Sequence, residues 1–155
     1  MSKSLRRVKA ALAELGLEDT ICETAGATTA QMAADAVGCN VDQIRKSIIF
    51  QIDTTDQFVL CITAGGQQLD RRKAETIVGA TLTKVDAALI RTTTGFATGG
   101  VSPVGHKSPC PIYFDETLLK YDAIEVATGT PNHVFNIAPD LLTQIISAQV
   151  TDFII

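Results

Sequence analysis

The sequence TTTGFATGGVSPVGH, residues 92–106, constrains the fold more than any other stretch of this chain. Its four glycines and one proline disfavour a helix interior, and so many glycines also disfavour a central strand. The pattern predicts a shaped loop, in which glycine permits close backbone approach and proline fixes the course of the chain. The backbone amides of Gly99, Gly100 and Val101 could then face a ligand oxygen. A long surface turn is the alternative interpretation.

Around this loop, hydrophobic periodicity and capping residues predict short helices mixed irregularly with strands. Helices are expected over 5–15, 28–37 and 139–148, and after four further capping residues: Asn40 (a short helix that includes Ile44), Asp70, Asp86 and Asp115. Strands are expected over 47–52, 58–63, 111–114, 123–127, 133–137 and 150–155. Because no regular strand–helix alternation is present, the pattern favours an α+β fold with a central, largely mixed or antiparallel sheet surrounded by short helices.

Length and composition are those of one globular domain, which we expect to span residues 1–155. The hydrophobic share is 46% and the charged share is 19%, both ordinary for a soluble protein. No apolar run approaches the length of a membrane span, and the segment that follows Ser2 leads into an amphipathic pattern instead of an apolar signal core. We therefore expect a cytoplasmic protein that does not bind membranes.

Cysteine and histidine usage gives no indication of a metal site or a cofactor. The four cysteines, at 22, 39, 61 and 110, form no C-x-x-C pair, and the two histidines are far apart with no acidic cluster at ligand spacing. A thiol hydrolase that uses Cys110 with His106 remains an alternative. The prolines on both sides of Cys110 suit a structural turn better.

The net charge of −4 argues against general affinity for nucleic acid, DNA included. All 13 lysines and arginines lie between Lys3 and Lys120, however, so that part of the surface can still be basic. Two groups are candidates for a local phosphate contact, and either of them could equally be a solvated helix face: Lys3, Arg6, Arg7 and Lys9, and then Arg71, Arg72 and Lys73.

Lys46 stands between a predicted helix end and an apolar strand. A lysine in that place could simply complement the negative end of the helix dipole. Alternatively, the buried strand holds its ammonium at the mouth of a pocket, where it could bind a phosphate or polarise a carbonyl oxygen.

Three segments together resemble the YbaK/prolyl-tRNA synthetase-associated domain family. They are QIRKS at 43–47, GGVSPVG at 99–105, and the end that runs from GTP at 129–131 to IAP at 137–139. Their order and spacing match the family across nearly the whole chain. The resemblance implies an α+β fold whose central mixed sheet has barrel-like curvature. It also implies hydrolysis of the ester that joins a wrong amino acid to the 3′-terminal adenosine of a tRNA.

The resemblance also assigns site residues. The family's lysine maps onto Lys46, the catalytic candidate, and its G-x-x-x-P loop maps onto Gly99 and Pro103. The candidates for substrate binding are Gly99, Gly100, Val101, Ser102, Pro103, Gly105, Gly129, Thr130 and His133. Some members carry an acidic residue close to Val134 or a histidine close to Ala127, and this chain has neither.

The leading hypothesis is a free-standing deacylase that acts on the 3′ end of mischarged tRNA, with the involvement of an aminoacyl-tRNA synthetase left open. A non-catalytic module that binds an aminoacyl or nucleotide ligand is the second hypothesis. A small-molecule esterase unrelated to tRNA is the third.

Overall fold

The computed structural model describes residues 2–24, 26–27, 29–98, 100–130 and 132–155. In these ranges the chain forms five α-helices and eight strands, together with 3₁₀ helices at Val41–Gln43 and Glu116–Lys120. The helices are α1 (Lys3–Glu14), α2 (Ala30–Val37), α3 (Arg71–Val78), α4 (Ala87–Thr94) and α5 (Pro139–Ile145). The strands are β1 (Cys22–Glu23), β2 (Arg45–Ile52), β3 (Phe58–Ala64), β4 (Leu82–Lys84), β5 (Ile112–Asp115), β6 (Ile124–Ala127), β7 (His133–Ile137) and β8 (Gln149–Thr151).

The strands form two sheets that meet at one point. The larger sheet has the order β4-β2-β3-β5-β8, with parallel β3–β5 and β5–β8 pairs and antiparallel pairs elsewhere. The smaller sheet, β1-β7-β6, is antiparallel. A parallel bridge between Ile44 and Glu125 joins the edge of β6 to the start of β2. The predicted α+β fold with a mixed sheet is confirmed, although the strands are divided between two sheets and do not form one central sheet.

The largest hydrophobic core lies on one face of β2 and β3, and α1, α5 and the glycine-rich loop pack against it. Fully buried side chains from α1, β3, the loop, β7 and α5 meet there: Val8, Leu60, Ile62, Phe96, Phe135 and Leu142. A second core on the opposite face contains Phe50, Val59 and Cys61. Because successive strand residues point to opposite faces, β2 and β3 contribute alternate side chains to the two cores.

Capping residues placed most helix starts correctly. Thr29, Asp70 and Asp86 each accept a hydrogen bond at the start of their helices, and Asn40 with Gln43 forms a capping box. Thr28, which was also part of the expected cap of α2, lies outside the described residues.

Several boundaries differ from the prediction, among them the start of β2, which lies at Arg45 and not at residue 47. Ile44 is extended and not helical, since the 3₁₀ helix ends at Gln43 and the chain enters the sheet there. Helix α4 continues through residues 92–94, so the loop begins only at Gly95, whose φ of +83° ends the helix. Helix α5 ends at Ile145 and not near residue 148, and β8 spans Gln149–Thr151 and not the expected 150–155. The short strands β1 and β4 were not predicted, because two or three residues carry too little periodicity.

Candidate functional site

The glycine-rich loop is buried against the rest of the molecule. Residues 100–104 are all buried, with Val101 at 2% and Ser102 at 0% exposure. The side chains of Val101 and Val104 belong to the largest core. The interpretation of this segment as a surface turn is therefore wrong for residues 100–104, because they are buried.

The loop contacts the turn between β6 and β7 through Gly100. A Cβ atom at Gly100 would lie 2.6 Å from the carbonyl carbon and 2.8 Å from the carbonyl oxygen of Thr130. A side chain is therefore excluded at this position by backbone atoms, which cannot rotate away. The Gly100 amide donates a hydrogen bond to the Ala97 carbonyl at 3.0 Å, so it is not free for a ligand as the sequence suggested. Gly99 and Pro131 lie outside the described residues.

The same turn is fixed from its other side by aromatic packing. Gly129 has a φ of +91°, and a Cβ atom there would lie 2.6 Å from the Phe96 ring. Gly105, at the far end of the loop, also has a positive φ, +78°, and lies against the Arg7 backbone. The glycines selected from the sequence therefore permit two close backbone approaches, one of which joins the loop to the turn.

His133 belongs with this turn. Its Nδ1 lies 2.8 Å from the Thr130 hydroxyl, and its Nε2 lies 3.6 Å from a carboxylate oxygen of Glu23. The half-buried imidazole thus connects the turn to β1. Its contacts account for two of the predicted site residues, Thr130 and His133, as one unit beside Gly100.

Lys46 lies in β2 and not at a helix end. It is directly opposite Thr63 in the antiparallel pair with β3, and its Nζ donates to the Gln67 carbonyl at 2.5 Å. The 3₁₀ helix that precedes it has only three residues and ends before β2 begins. The ammonium therefore binds a carbonyl of the following loop, and the helix-dipole interpretation is wrong.

The junction between the sheets places Lys46 beside β6. Ile44 pairs with Glu125 in parallel through an isolated bridge, and β2 begins at the next residue. The start of β2, which carries Lys46, therefore lies close to β6, which ends at Ala127. Ala127 pairs in turn with Val134. The two positions at which relatives were expected to carry a histidine or an acid are therefore a cross-strand pair near the junction. In this chain both residues, Ala127 and Val134, are apolar.

Thr63, on the other side of Lys46, was missed by sequence reasoning. It is completely buried, and its hydroxyl has no hydrogen-bond partner in the part of the chain that the structure describes. A buried polar group without a partner is uncommon in a native protein. The sequence contained one indication of Thr63: it is the single hydroxyl-bearing residue of the apolar strand β3. In the paired strand β2, Lys46 lies opposite it.

Arg45 was also missed, although its side chain contacts the loop. Its side chain points to the face opposite Lys46, is 5% exposed, and donates through Nη2 to the Val101 carbonyl at 3.4 Å. Burial lowers the pKa of the Arg45 guanidinium to about 9, so it remains protonated at neutral pH. The alternation of side chains along β2 could have indicated that Arg45 is buried. Arg45 lies four residues before the core residue Ile49, so the two side chains point to the same face of the sheet.

Behind the loop, His106 supports the main chain. Its Nε2 hydrogen-bonds the Ser102 carbonyl, and its ring packs edge-on against Phe96 at a centroid distance of 5.3 Å. Burial lowers the pKa of His106, a nearby positive charge on Arg7 acts in the same direction, and the bond to Ser102 opposes both. A cleft of about 530 Å³ opens here, lined by Pro103, Gly105 and His106 among others, and Lys46 does not line it.

The cysteines do not form a thiolate centre. Burial raises the pKa of Cys61 to about 12 and that of Cys110 to about 11, so both remain thiols at neutral pH. In the described residues no three His, Cys, Asp or Glu side chains are grouped as metal ligands would be. No helix of the described ranges is both long and apolar enough to cross a bilayer.

Comparison with known proteins identifies the family. A model of the aminoacyl-tRNA editing domain matches residues 24–145. The chain belongs to this family. The match includes Lys46, the glycine–proline loop and the turn at 128–132, so the relationship predicted from the sequence is confirmed.

Individual relatives agree with that membership. A solved structure of a candidate trans-editing enzyme for prolyl-tRNA synthetase is 40% identical, with a TM-score of 0.93 over 100% of this chain and 99% of that one. EbsC of Enterococcus faecalis, a candidate Cys-tRNA(Pro)/Cys-tRNA(Cys) deacylase, is 28% identical over 78% of this chain and 74% of its own. Proline–tRNA ligase of Shouchella clausii is 32% identical over 75% of this chain, which spans 20% of the ligase. The predicted class of activity, aminoacyl-tRNA deacylation, is thereby confirmed.

Gly100→Ala tests the contact between loop and turn. The added methyl group must displace the Thr130 backbone, and we expect a loss of about 1–3 kcal/mol in the free energy of unfolding from overpacking. Deacylation should fall about 100-fold, since misplacing a positioning element by about 1 Å has that effect. Urea unfolding measures the loss of stability, and single-turnover hydrolysis measures the loss of activity. Thr98→Ala, at an exposed position of the same loop, is the control, and normal hydrolysis by Gly100→Ala would contradict the assignment.

His106→Gln tests the buried imidazole. Because its pKa in the folded protein is below the ordinary 6.5, the unfolded chain takes up the proton at higher pH than the folded one. The native protein should therefore lose stability as the pH falls through 6.5 towards the lowered pKa. Gln can still donate to the Ser102 carbonyl but does not titrate. In urea unfolding from about pH 7.5 to about pH 5, the stability difference between the two proteins should narrow; a constant difference would show that His106 does not contribute.

Proposed function

We propose that this protein is a free-standing editing enzyme that hydrolyses the ester between a wrongly attached amino acid and the 3′ end of a tRNA. The observation that carries the proposal is the packing of the glycine–proline loop onto the turn at 128–132, directly after the strand beside which Lys46 lies. The substrate would enter between Lys46 and this turn. The site residues, the free-standing mode of action and the 3′ end as the recognised part of the tRNA are parts of this proposal.

Lys46 is suited to anchoring the substrate. An ammonium has three N–H donors, and the Gln67 carbonyl uses one of them. The remaining donors can bind the terminal phosphate of the tRNA or the carbonyl oxygen of the ester. We assign phosphate or substrate anchoring to Lys46, because a compact ammonium binds such oxygens as a point charge.

The chemical step needs positioning more than a strong nucleophile, since an aminoacyl ester is already activated. Water attacks the ester carbonyl, and the tetrahedral intermediate that forms carries negative charge on the former carbonyl oxygen. Its collapse breaks the bond to the ribose oxygen, which takes up a proton, and the products are free amino acid and uncharged tRNA. Because the Gly100 amide is engaged within the loop, the loop contributes mainly the shape of the site.

Such an enzyme would supply selectivity that a synthetase lacks. One methylene changes binding in an apolar pocket by only about 1–3 kcal/mol, so a second site that admits the smaller amino acid is needed. A panel of tRNAs charged with alanine, serine, threonine, cysteine and proline would identify the substrate. We propose that the enzyme works in the cytoplasm, binds neither membranes nor DNA, and obtains part of its tRNA affinity from a synthetase where one takes part.

The two other hypotheses differ in measurable ways. A binding module would protect the ester in a saturable manner without multiple turnovers. A general esterase would hydrolyse model esters regardless of an attached nucleic acid. The raised thiol pKa values of Cys61 and Cys110 remove the support for a cysteine nucleophile at these positions.

Lys46→Ala should fold normally and lose about 100-fold or more in deacylation, because one well-placed charged donor has that effect on the rate. Lys46→Arg should also be impaired, since a planar guanidinium cannot take the place of the ammonium beside Gln67. Lys84→Ala is the matched control: Lys84 pairs with Phe50 on the same face of the sheet but is exposed. Multiple-turnover hydrolysis of the same aminoacyl-tRNA would be compared, and a rate close to normal in Lys46→Ala would contradict the assignment.

Lys107→Glu should weaken substrate binding more than it affects catalysis. Its side chain lies next to Arg7 beside Gly95, where the loop begins, so a phosphate of the acceptor stem could reach both. The second basic group is less available, since Lys73 and Arg71 lie 3.8 Å and 4.0 Å from acidic side chains. We expect a several-fold higher KM for Lys107→Glu and a salt dependence shallower by about 0.7 in log–log slope. Lys84→Glu, at an exposed position of β4, is the control; equal effects of the two variants on KM and on the salt dependence would rule out a local phosphate contact at Lys107.

A further inference from the structure

Arg45 occupies an unusual position for an arginine. It is the first residue of β2, it is 5% exposed, and its side chain points into the largest hydrophobic core beside the glycine–proline loop. Within the part of the chain that the structure describes, its only side-chain hydrogen bond goes to the Val101 carbonyl, and its Nε is buried without a partner. No carboxylate of the described residues forms an ion pair with it.

Stability does not account for such a residue. A buried cation without a counter-ion is costly, and replacing buried charged groups by apolar ones of similar volume is often neutral or stabilising. A single 3.4 Å hydrogen bond to a neutral carbonyl cannot offset that cost. A residue that lowers stability in a packed core points to a role in the position of what it contacts.

The contact of Arg45 joins the two parts of the site. Lys46 follows it directly in the chain and points to the other face of the sheet, where the Gln67 carbonyl binds it. Val101 follows Gly100, whose backbone packs on Thr130. The position of the loop relative to Lys46 is therefore set through two neighbouring residues of one strand, and that strand is held by antiparallel pairs with β3 and β4.

We infer that Arg45 is a positioning residue, which holds the Val101 carbonyl and thereby fixes the glycine–proline loop against the turn at the distance from Lys46 that hydrolysis requires. The expected effect of Arg45 on the rate of hydrolysis rests on the proposed function. Its expected effect on the position of the loop does not, because that effect can be measured without any substrate. Arg45 acts through the loop and not by contact with the substrate, since its side chain is buried and its hydrogen bond goes to the Val101 carbonyl.

Three variants of the full chain test this inference. Arg45→Met keeps the length and removes the charge and the donors, Arg45→Lys keeps a charge, and Arg45→Ala leaves a cavity that added guanidinium can enter. Arg91→Met, an exposed arginine of α4, is the matched control. Each is measured for melting temperature, for kcat and KM on the best aminoacyl-tRNA, and for hydrogen exchange of the amides in the loop.

We expect Arg45→Met to melt at or above the temperature of the native protein, while its kcat falls about 100-fold and its KM changes little. Millimolar guanidinium should restore part of the kcat of Arg45→Ala, and Arg45→Lys should lie between the native protein and Arg45→Met. Amides of residues 100–104 should exchange faster in Arg45→Met, while those of the β2–β3 pair stay unchanged. Arg91→Met should resemble the native protein throughout.

Two results would overturn the inference. A kcat for Arg45→Met equal to that of the native protein would show that the contact is dispensable, and parallel loss of melting temperature and activity without guanidinium rescue would reduce Arg45 to a structural residue. If the native protein hydrolyses no aminoacyl-tRNA, the proposed function fails, and the exchange experiment still decides the question. If the loop amides of Arg45→Met exchanged hydrogen at the native rate, the role of Arg45 in holding the loop would be refuted, whatever the protein's activity.

Discussion

The pleat of one strand organises the site. Successive residues of β2 point to opposite faces of the sheet, so Arg45 and Lys46, one peptide bond apart, enter different environments. Arg45 is enclosed in the main core and contacts the loop, whereas Lys46 binds the Gln67 carbonyl on the other face. A shift of β2 by one residue would exchange these two cations, and β2 would lose its packing in both cores as well. The alternating apolar residues of β2 and β3 therefore also fix where the charges stand.

Much of this arrangement could be predicted from local sequence signals. Threonine, asparagine and aspartate caps located the starts of helices, and strand-like apolar runs located β2, β3, β6 and β7. The lysine and the glycine–proline loop were selected by their order and spacing, and the family comparison confirms that relationship. Periodic patterns carry this information because each helix or strand must bury one face.

What the sequence could not provide came from tertiary packing. The contact of Gly100 with Thr130 joins segments thirty residues apart, and no local pattern states which glycine faces a backbone and which faces open space. Burial of the loop depends on Val101 and Val104, which are too few to show a period. Arg45 was missed because charge in a sequence suggests exposure, and only its parity with Ile49 indicated otherwise.

A site assembled in this way is suited to a reaction that depends on geometry. The ester needs no strong nucleophile, so the rate depends on how accurately loop, turn and lysine are held relative to one another. Backbone-to-backbone contact at Gly100 leaves no side chain that could adjust, and close-packed interiors transmit displacements instead of absorbing them. Packing on one face of β2 therefore influences chemistry on the other. In the function that we propose, a substrate of the wrong size that displaces the turn would also displace the loop, so selectivity would depend on the same contacts that hold the loop in place.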